Sequence, residues 1–313
     1  MKQIYYKKEK GFALIAVIWV VAFLSMLFMV TLMLLKVEAE STISAEHSFR
    51  AWLQAHKGLS YASHPDVERG DDDALIYEPV GVDEGYKLTI KPEASMININ
   101  YVLKTGDKSL LKNLFNHWLN DDVKASELTD AFVDWVDKDD VVSLNGAENE
   151  WYVAQGFKNR PFNRNFQSLD EVSLVKGFDE IESLVPDWRE WFTLYSEGTI
   201  DLHDAEPELL SVVAETELDI AEKFVRDIKG EDGIMGTSDD KRYGKKDLAL
   251  DKLESKKINR ELILNRFRLR GRILRVESVG RSGNYQSNIQ AVIRNQGDVV
   301  RVLYYQETTL ESE

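Results

Sequence analysis

The strongest pattern along the chain is an apolar run near its start. Residues 12–35 carry no charge, no proline and no glycine. These 24 residues make roughly 36 Å of helix at about 1.5 Å per residue, enough to cross a bilayer. Lys2, Lys7, Lys8 and Lys10 stand before the run against the single acid Glu9, whereas Lys36, Glu38, Glu40 and Glu46 follow it. Positive flanks stay cytoplasmic, so the N-terminus is expected inside and the bulk of the chain outside. Past residue 35 the pattern turns amphipathic. Ala45, Phe49, Trp52, His56 and Leu59 recur at spacings of four and three and predict one buried helix face, with His56 a packed histidine. The helix is expected to end near Ala62, ahead of Pro65.

The next patterns alternate. A loop is expected at the acidic run 71–73, a strand over 86–90 and another over 96–100. Near the C-terminus Phe267, Leu269, Gly271 and Ile273 alternate with Arg268, Arg270 and Arg272, which predicts a strand with a solvated arginine face. Strands over 285–294 and 299–305 flank a turn at 295–298. Between these β segments the period becomes helical. Leu110, Leu111, Leu114, Phe115 and Trp118 make one face, and Leu128, Phe132, Trp135 and Val136 another. Ser168-Leu169-Asp170-Glu171 reads as a capping box, Pro207 suits a first helical turn, and 218–228 completes the set. The pattern describes an α+β chain: a long helix, a small antiparallel sheet and a large helical insertion. The insertion repeats weakly, since Ile97-Asn98-Ile99-Asn100 and Ile200-Asp201-Leu202-His203 each lead into helices.

Composition narrows the chemistry. The net charge of −15 repels phosphate backbones, so no nucleic-acid partner is expected. The chain has no cysteine, which excludes disulfides, thiolate metal sites and a cysteine nucleophile. His47, His56, His64, His117 and His203 show no paired zinc spacing, and Gly280-Arg281-Ser282-Gly283-Asn284 lacks the last glycine of a nucleophile elbow. No enzyme is expected. Two acidic stretches suit calcium, which takes six to eight oxygen ligands. One brings Glu231, Asp232, Asp239 and Asp240 together through Gly230, Gly233 and Gly236; the other holds Asp137, Asp139, Asp140 and Glu148, with Glu150 nearby. A solvated acidic turn and a helix end running into an acidic loop are the alternative readings.

The stretch Lys10-Gly11-Phe12-Ala13-Leu14-Ile15 resembles a class III prepilin signal, because the apolar run is too long for an ordinary secretory signal. Most pilins carry glutamate at the fifth mature position, where this chain has Ala16. Together with Asp134-Trp135-Val136-Asp137, Gly146-Ala147-Glu148 before Trp151-Tyr152, and Arg160-Pro161-Phe162 before Leu169-Asp170-Glu171-Val172, this resembles the K-type minor pseudopilins of type II secretion systems.

The resemblance implies a structural subunit. Prepilin peptidase would cleave between Gly11 and Phe12, leaving a methylated Phe12, and Ala16 would mark the filament tip. It implies a leader over 1–11, a membrane and amphipathic helix over 12–64, a pilin-like β domain over 65–100 and 255–313, and a helical domain of two subdomains over 101–254. The expected partners are I- and J-type minor pseudopilins, the inner membrane, and a secreted substrate or the secretin channel. The expected location is the bacterial inner membrane, with the C-terminal domain in the periplasm. A minor pilin of a type IV pilus and a signal-anchored periplasmic calcium-binding module are the alternatives.

Overall fold

The computed structural model describes residues 10–64, 76–77, 83–233, 235, 237, 239–255, 259–296 and 299–311. The loop expected at 71–73, Pro65, residues 297–298 of the expected turn, and the leader before Lys10 lie outside them. Helix α1, Lys10–Ala62, is one unbroken rod. Among the described residues nothing packs on its apolar half, and Trp19 is 72% exposed. Alone in water such a surface is unfavourable; a single membrane pass explains it.

The lower half of α1 lies on an antiparallel sheet. Its strands are β1 (Ile76–Tyr77), β2 (Glu84–Pro92), β7 (Ile273–Ser282), β8 (Tyr285–Gln296) and β9 (Val299–Glu311), in the order β1-β2-β7-β8-β9. The last two run longer than the pattern predicted. The helix face expected from the aromatic residues is not the one that packs. Ala51, Ala55, Gly58 and Ala62 face the sheet, while Phe49 stays 57% exposed and Trp52 and His56 are half-buried along one flank. The reason is distance. Ser278 donates its hydroxyl to the Ala55 carbonyl at 2.8 Å, so helix and strand backbones nearly touch and only small side chains fit between them. His56 is accordingly a flank residue, its ring tilted against Trp52 and 3.4 Å from the Tyr305 hydroxyl.

Between Pro92 and Ile273 the chain leaves the sheet and forms helices around one core running from Ile97 to Phe267. They are α2 (Ile99–Thr105), α3 (Lys108–Leu119), α4 (Asp122–Val136), α5 (Asn149–Ala154), α6 (Phe178–Leu184), α7 (Pro207–Ala214), α8 (Leu218–Ile228), α9 (Lys246–Lys252) and α10 (Arg260–Arg266). The strand expected over 96–100 is only β3, Ile97–Asn98, and α2 starts at once. The strand expected from Phe267 through Ile273 is likewise broken: β6 is Phe267–Arg268, and pairing resumes at Ile273. Arg268 pairs with Glu197, while Arg270 and Arg272 are exposed outside any strand. The expected capping box does not form. Ser168 caps nothing, but Glu171 accepts from the Gln167 N–H at 3.3 Å and pairs with Arg164 at 3.0 Å.

The weak sequence repeat has a physical form. Strand β3 pairs in parallel with β4 (Phe192–Thr193), and β5 (Ile200–Asp201) pairs in parallel with β6. In each unit the second residue reaches past its partner to close the bundle. Asn98 accepts from Tyr101 N–H at 3.0 Å and donates to the Ser196 carbonyl at 2.8 Å. Asp201 accepts from His203 N–H at 3.0 Å and from Gly271 N–H at 2.7 Å. Asn98→Ala removes a helix cap and leaves a buried carbonyl unpartnered, so a loss of about 1–2 kcal/mol is expected in denaturant titration. Asn98→Asp should restore the cap but not the donor, and recover part of that loss.

Three ion pairs tie the parts together. Glu93, fully buried, accepts from Thr193 and holds Arg275 of β7 at 2.8 Å, joining the sheet to the helices. Arg266 is buried between Asp107 at 2.7 Å and Glu215 at 3.1 Å, bridging the last helix, α10, to the start of α3 and the end of α7. Burial alone would raise Asp107, but the Arg266 guanidinium and the Ser109 hydroxyl hold its carboxyl below the usual range.

Candidate functional site

Helix α4 sets up an unusual concentration of charge. Its buried face carries Leu128, Ala131, Phe132 and Trp135, and Asp134 lies on the same side, fully buried. Asp137 follows at the C-cap, its N–H returning to Val133 at 3.1 Å. The loop then turns back over the helix end. Ser143 N–H donates to both oxygens of Asp134 at 3.2 and 3.1 Å, and Asn145 N–H donates to Asp130 at 3.3 Å. Lys176 pins the far side, donating to the Asn145 and Gly146 carbonyls at 3.1 and 3.0 Å. A Cβ on Gly146 would lie 1.9 Å from Asp134 Oδ2, so only glycine lets the loop pass. That passage brings Glu148, 3% exposed, over Asp134.

Asp134, Asp137 and Glu148 thereby offer one oxygen each, all within 4.8 Å of one another. Both oxygens of Glu148 and Oδ1 of Asp137 are buried without a hydrogen-bond partner. Orphaned carboxylate oxygens are costly, and a helix C-terminus, itself partially negative, adds to the cost. Burial first, then the neighbouring carboxylates, push Asp137 up to about 6 and Glu148 up to about 7. The arrangement either takes protons or takes a cation. An all-oxygen donor set fits a hard divalent ion, calcium before a softer metal.

The residues expected at this cluster separate. Asp137 and Glu148 converge, whereas Asp139 and Asp140 stay exposed, Asp139 accepting from Val141 N–H at 2.9 Å. Glu150 is exposed on α5. Asp134 was not among the expected ligands; the available signal was an aspartate among the apolar residues of a helix face. At the glycine-rich stretch, Asp239 accepts from Glu231 N–H at 2.7 Å, Asp232 N–H at 3.2 Å and Thr237 Oγ at 2.7 Å. These bonds, the Thr237 hydroxyl foremost, hold its carboxyl down at about 2. Gly230 permits the closure through a left-handed backbone, φ +67, at which any Cβ would meet Asp239 Oδ2 at 2.2 Å. Asp240 lies 3.6 Å from Arg242, and Glu231 and Asp232 are exposed. Ile234, Gly236 and Ser238 of this stretch lie outside the described residues. Because the loop closes on its own donors, the geometry favours the buried trio as the cation site. Gly11 and Phe12 lie in the first turn of α1, after Lys10, and Ala16 is exposed on its apolar half.

Residues 95–186, which contain the whole trio, match the family model described as type II secretion system (T2SS), protein K. A curated relative, the type II secretion system protein K of Klebsiella pneumoniae, is 31% identical over 100 residues, 29% of this chain. That alignment spans about a third of the relative's length, 31%. A chain in the crystal structure of the GspK-GspI-GspJ complex from the enterotoxigenic Escherichia coli type 2 secretion system is similar in fold. The TM-score is 0.61 at 12% identity, over 87% of this chain and 98% of that one. The K-type resemblance read from the sequence holds. The matched residues lie between β2 and β7, beyond the end of α1.

Proposed function

We propose that this chain is a K-type minor pseudopilin, a structural subunit without catalysis, held in the inner membrane by α1 with its C-terminal domain in the periplasm. The observation that carries this is the joining of an exposed apolar helix to a sheet with the residues matched to the protein K family inserted between two of its strands. By likeness to the enterotoxigenic Escherichia coli complex, its partners would be an I- and a J-type subunit. A helical body of this bulk obstructs stacking of a further subunit, and Ala16 leaves no carboxylate to pair with a neighbour's terminal amine. Both support a place at the filament tip, where the chain would start assembly and face a secreted substrate or the secretin. A calcium ion held by Asp134, Asp137 and Glu148 would supply the positive charge that the trio lacks. The chain's own residues do the rest: Ser143, Asn145 and Lys176 hold the loop closed, and Gly146 leaves room for Glu148.

The test is processing and export together. In a host with prepilin peptidase, mass spectrometry should find the mature chain beginning at N-methylated Phe12. Gly11→Asp puts a charged side chain where the peptidase accepts only a small one, and should abolish both cleavage and secretion. Recovery of the intact Met1 form from a secreting cell would remove the pseudopilin reading.

A further inference from the structure

The loop between the cage ligands has a second property. Val141 is 72% exposed, Val142 55% and Leu144 93%. Single exposed apolar residues are ordinary, but three within four positions form a patch. Nor is this a slack loop turned outward by chance. Val141 N–H is bound to Asp139, Ser143 N–H to Asp134, Gly146 N–H to the Ser143 carbonyl at 3.0 Å, and Asn145 N–H to Asp130. The backbone is fastened on its inner side, and the side chains left outside are a leucine and two valines.

We infer that residues 138–147 form a cation-organised docking tip, whose Val141, Val142 and Leu144 enter an apolar pocket with a basic rim on a partner protein. The inference rests on calcium binding by the cage. Both ends of the loop are cage ligands, Asp137 before it and Glu148 after, and Asp134 holds its middle. Without a cation the three carboxylates oppose one another, and the loop is held only by its hydrogen bonds to Asp130, Asp134 and Lys176. With one, its ends are drawn to a common centre, and the ordering cost of docking is met before the partner arrives. The choice of partner follows from charge. Asp139, Asp140 and Glu150 are exposed around the tip against Lys138, on a chain of net charge −15. Such a rim is repelled by anionic lipid and steered towards a basic protein surface.

The experiment uses the full-length chain in nanodiscs of zwitterionic lipid, with empty discs as the blank. Fluorescent synthetic peptides of leucine and lysine, or of leucine and glutamate, serve as probes, and calorimetry follows calcium uptake in parallel. The leucine–lysine peptide is expected to bind at least about tenfold tighter in calcium than in chelator, and tighter than the leucine–glutamate peptide. Val141→Ser with Leu144→Ser, both at the surface, should keep calcium uptake and lose the peptide. Equal affinity in calcium and chelator, with calcium taken up, overturns the docking tip and leaves the cage. No calcium uptake at all overturns the cage and the tip with it. Equal binding of the two peptides, or calcium-dependent flotation with vesicles of phosphatidylcholine and phosphatidylglycerol in place of peptide binding, overturns the basic-rimmed protein partner.

Discussion

Saturating calcium is expected to raise the melting temperature of the full-length chain by about 5–10 °C over chelator at pH 8. A ligand that binds only the folded state at 100 times its dissociation constant contributes about 2.7 kcal/mol, and about 2–4 °C accompanies each kcal/mol at this size. The pH dependence identifies the site. Asp137 is raised to about 6 and Glu148 to about 7 in the folded chain, above ordinary carboxylates. The cation-free folded state therefore holds protons that the unfolded chain has already released. That contribution to stability is complete below the ordinary carboxylate range and is lost as pH rises through about 6 and then about 7. Without calcium the chain should be more stable at pH 5 than at pH 8 as far as this cluster goes. Calcium must displace the same protons, so its affinity should climb over the same interval, with proton release visible by calorimetry in buffers of different ionisation enthalpy. Glu148→Gln is expected to flatten both effects, whereas Asp239→Ala, in a loop that closes on its own donors, should leave them intact. A melting temperature indifferent to chelation at pH 8 would sink the cage as a calcium site.

How much of this was legible in the sequence depends on what each feature rests on. Helix α1 and its end at Ala62, α8 over Leu218–Ile228, and the proline start of α7 rest on local pattern, and all stand where the residues put them. The short strands rest on something else. Ile97 and Asn98 are extended only because Phe192 and Thr193 come alongside from a distant part of the chain, and the Asn98 side chain then starts a helix that alternation could not foresee. The cage divides in the same way. Asp137 and Glu148 announce themselves as acids in a loop, but Asp134 is a helix residue, and only the fold of the loop through Gly146 makes it a neighbour. The packing face of α1 was misread for a related reason. Aromatic residues at helical spacing dominate any hydrophobic pattern, yet a helix seated directly on a strand needs residues with almost no side chain.

That close seating leads to the largest expected loss of stability. A Cβ on Gly280 would lie 2.1 Å from the Ala51 carbonyl oxygen and 2.2 Å from the Ala55 nitrogen. Both are backbone atoms of α1, so no rotamer change can relieve the clash, and helix and strand must part. Gly58 repeats the constraint from the helix side, where a Cβ would meet Ser278 Oγ at 2.2 Å. Parting would break the Ser278–Ala55 bond at 2.8 Å and strain those of His47 to Ser282 at 2.9 Å and Tyr285 to Ser44 at 2.7 Å. It would also open the small core of Ala62, Tyr86, Leu88, Ile90, Val276, Ala291 and Ile293, against which α1 packs. Overpacking in a core costs about 1–3 kcal/mol where side chains can yield; here they cannot, and Gly280→Val should cost about 3 kcal/mol or more. Gln290→Val, exposed on the opposite face of the same sheet, should stay within about 0.5 kcal/mol and serves as control. The helical region keeps its own core from Ile97 to Phe267, so calorimetry of Gly280→Val should resolve an early transition for the sheet and a later one for the helices. Calcium should move only the later one. A single transition at the unaltered temperature would mean that α1 does not lie on β7 as closely as Gly58 and Gly280 require.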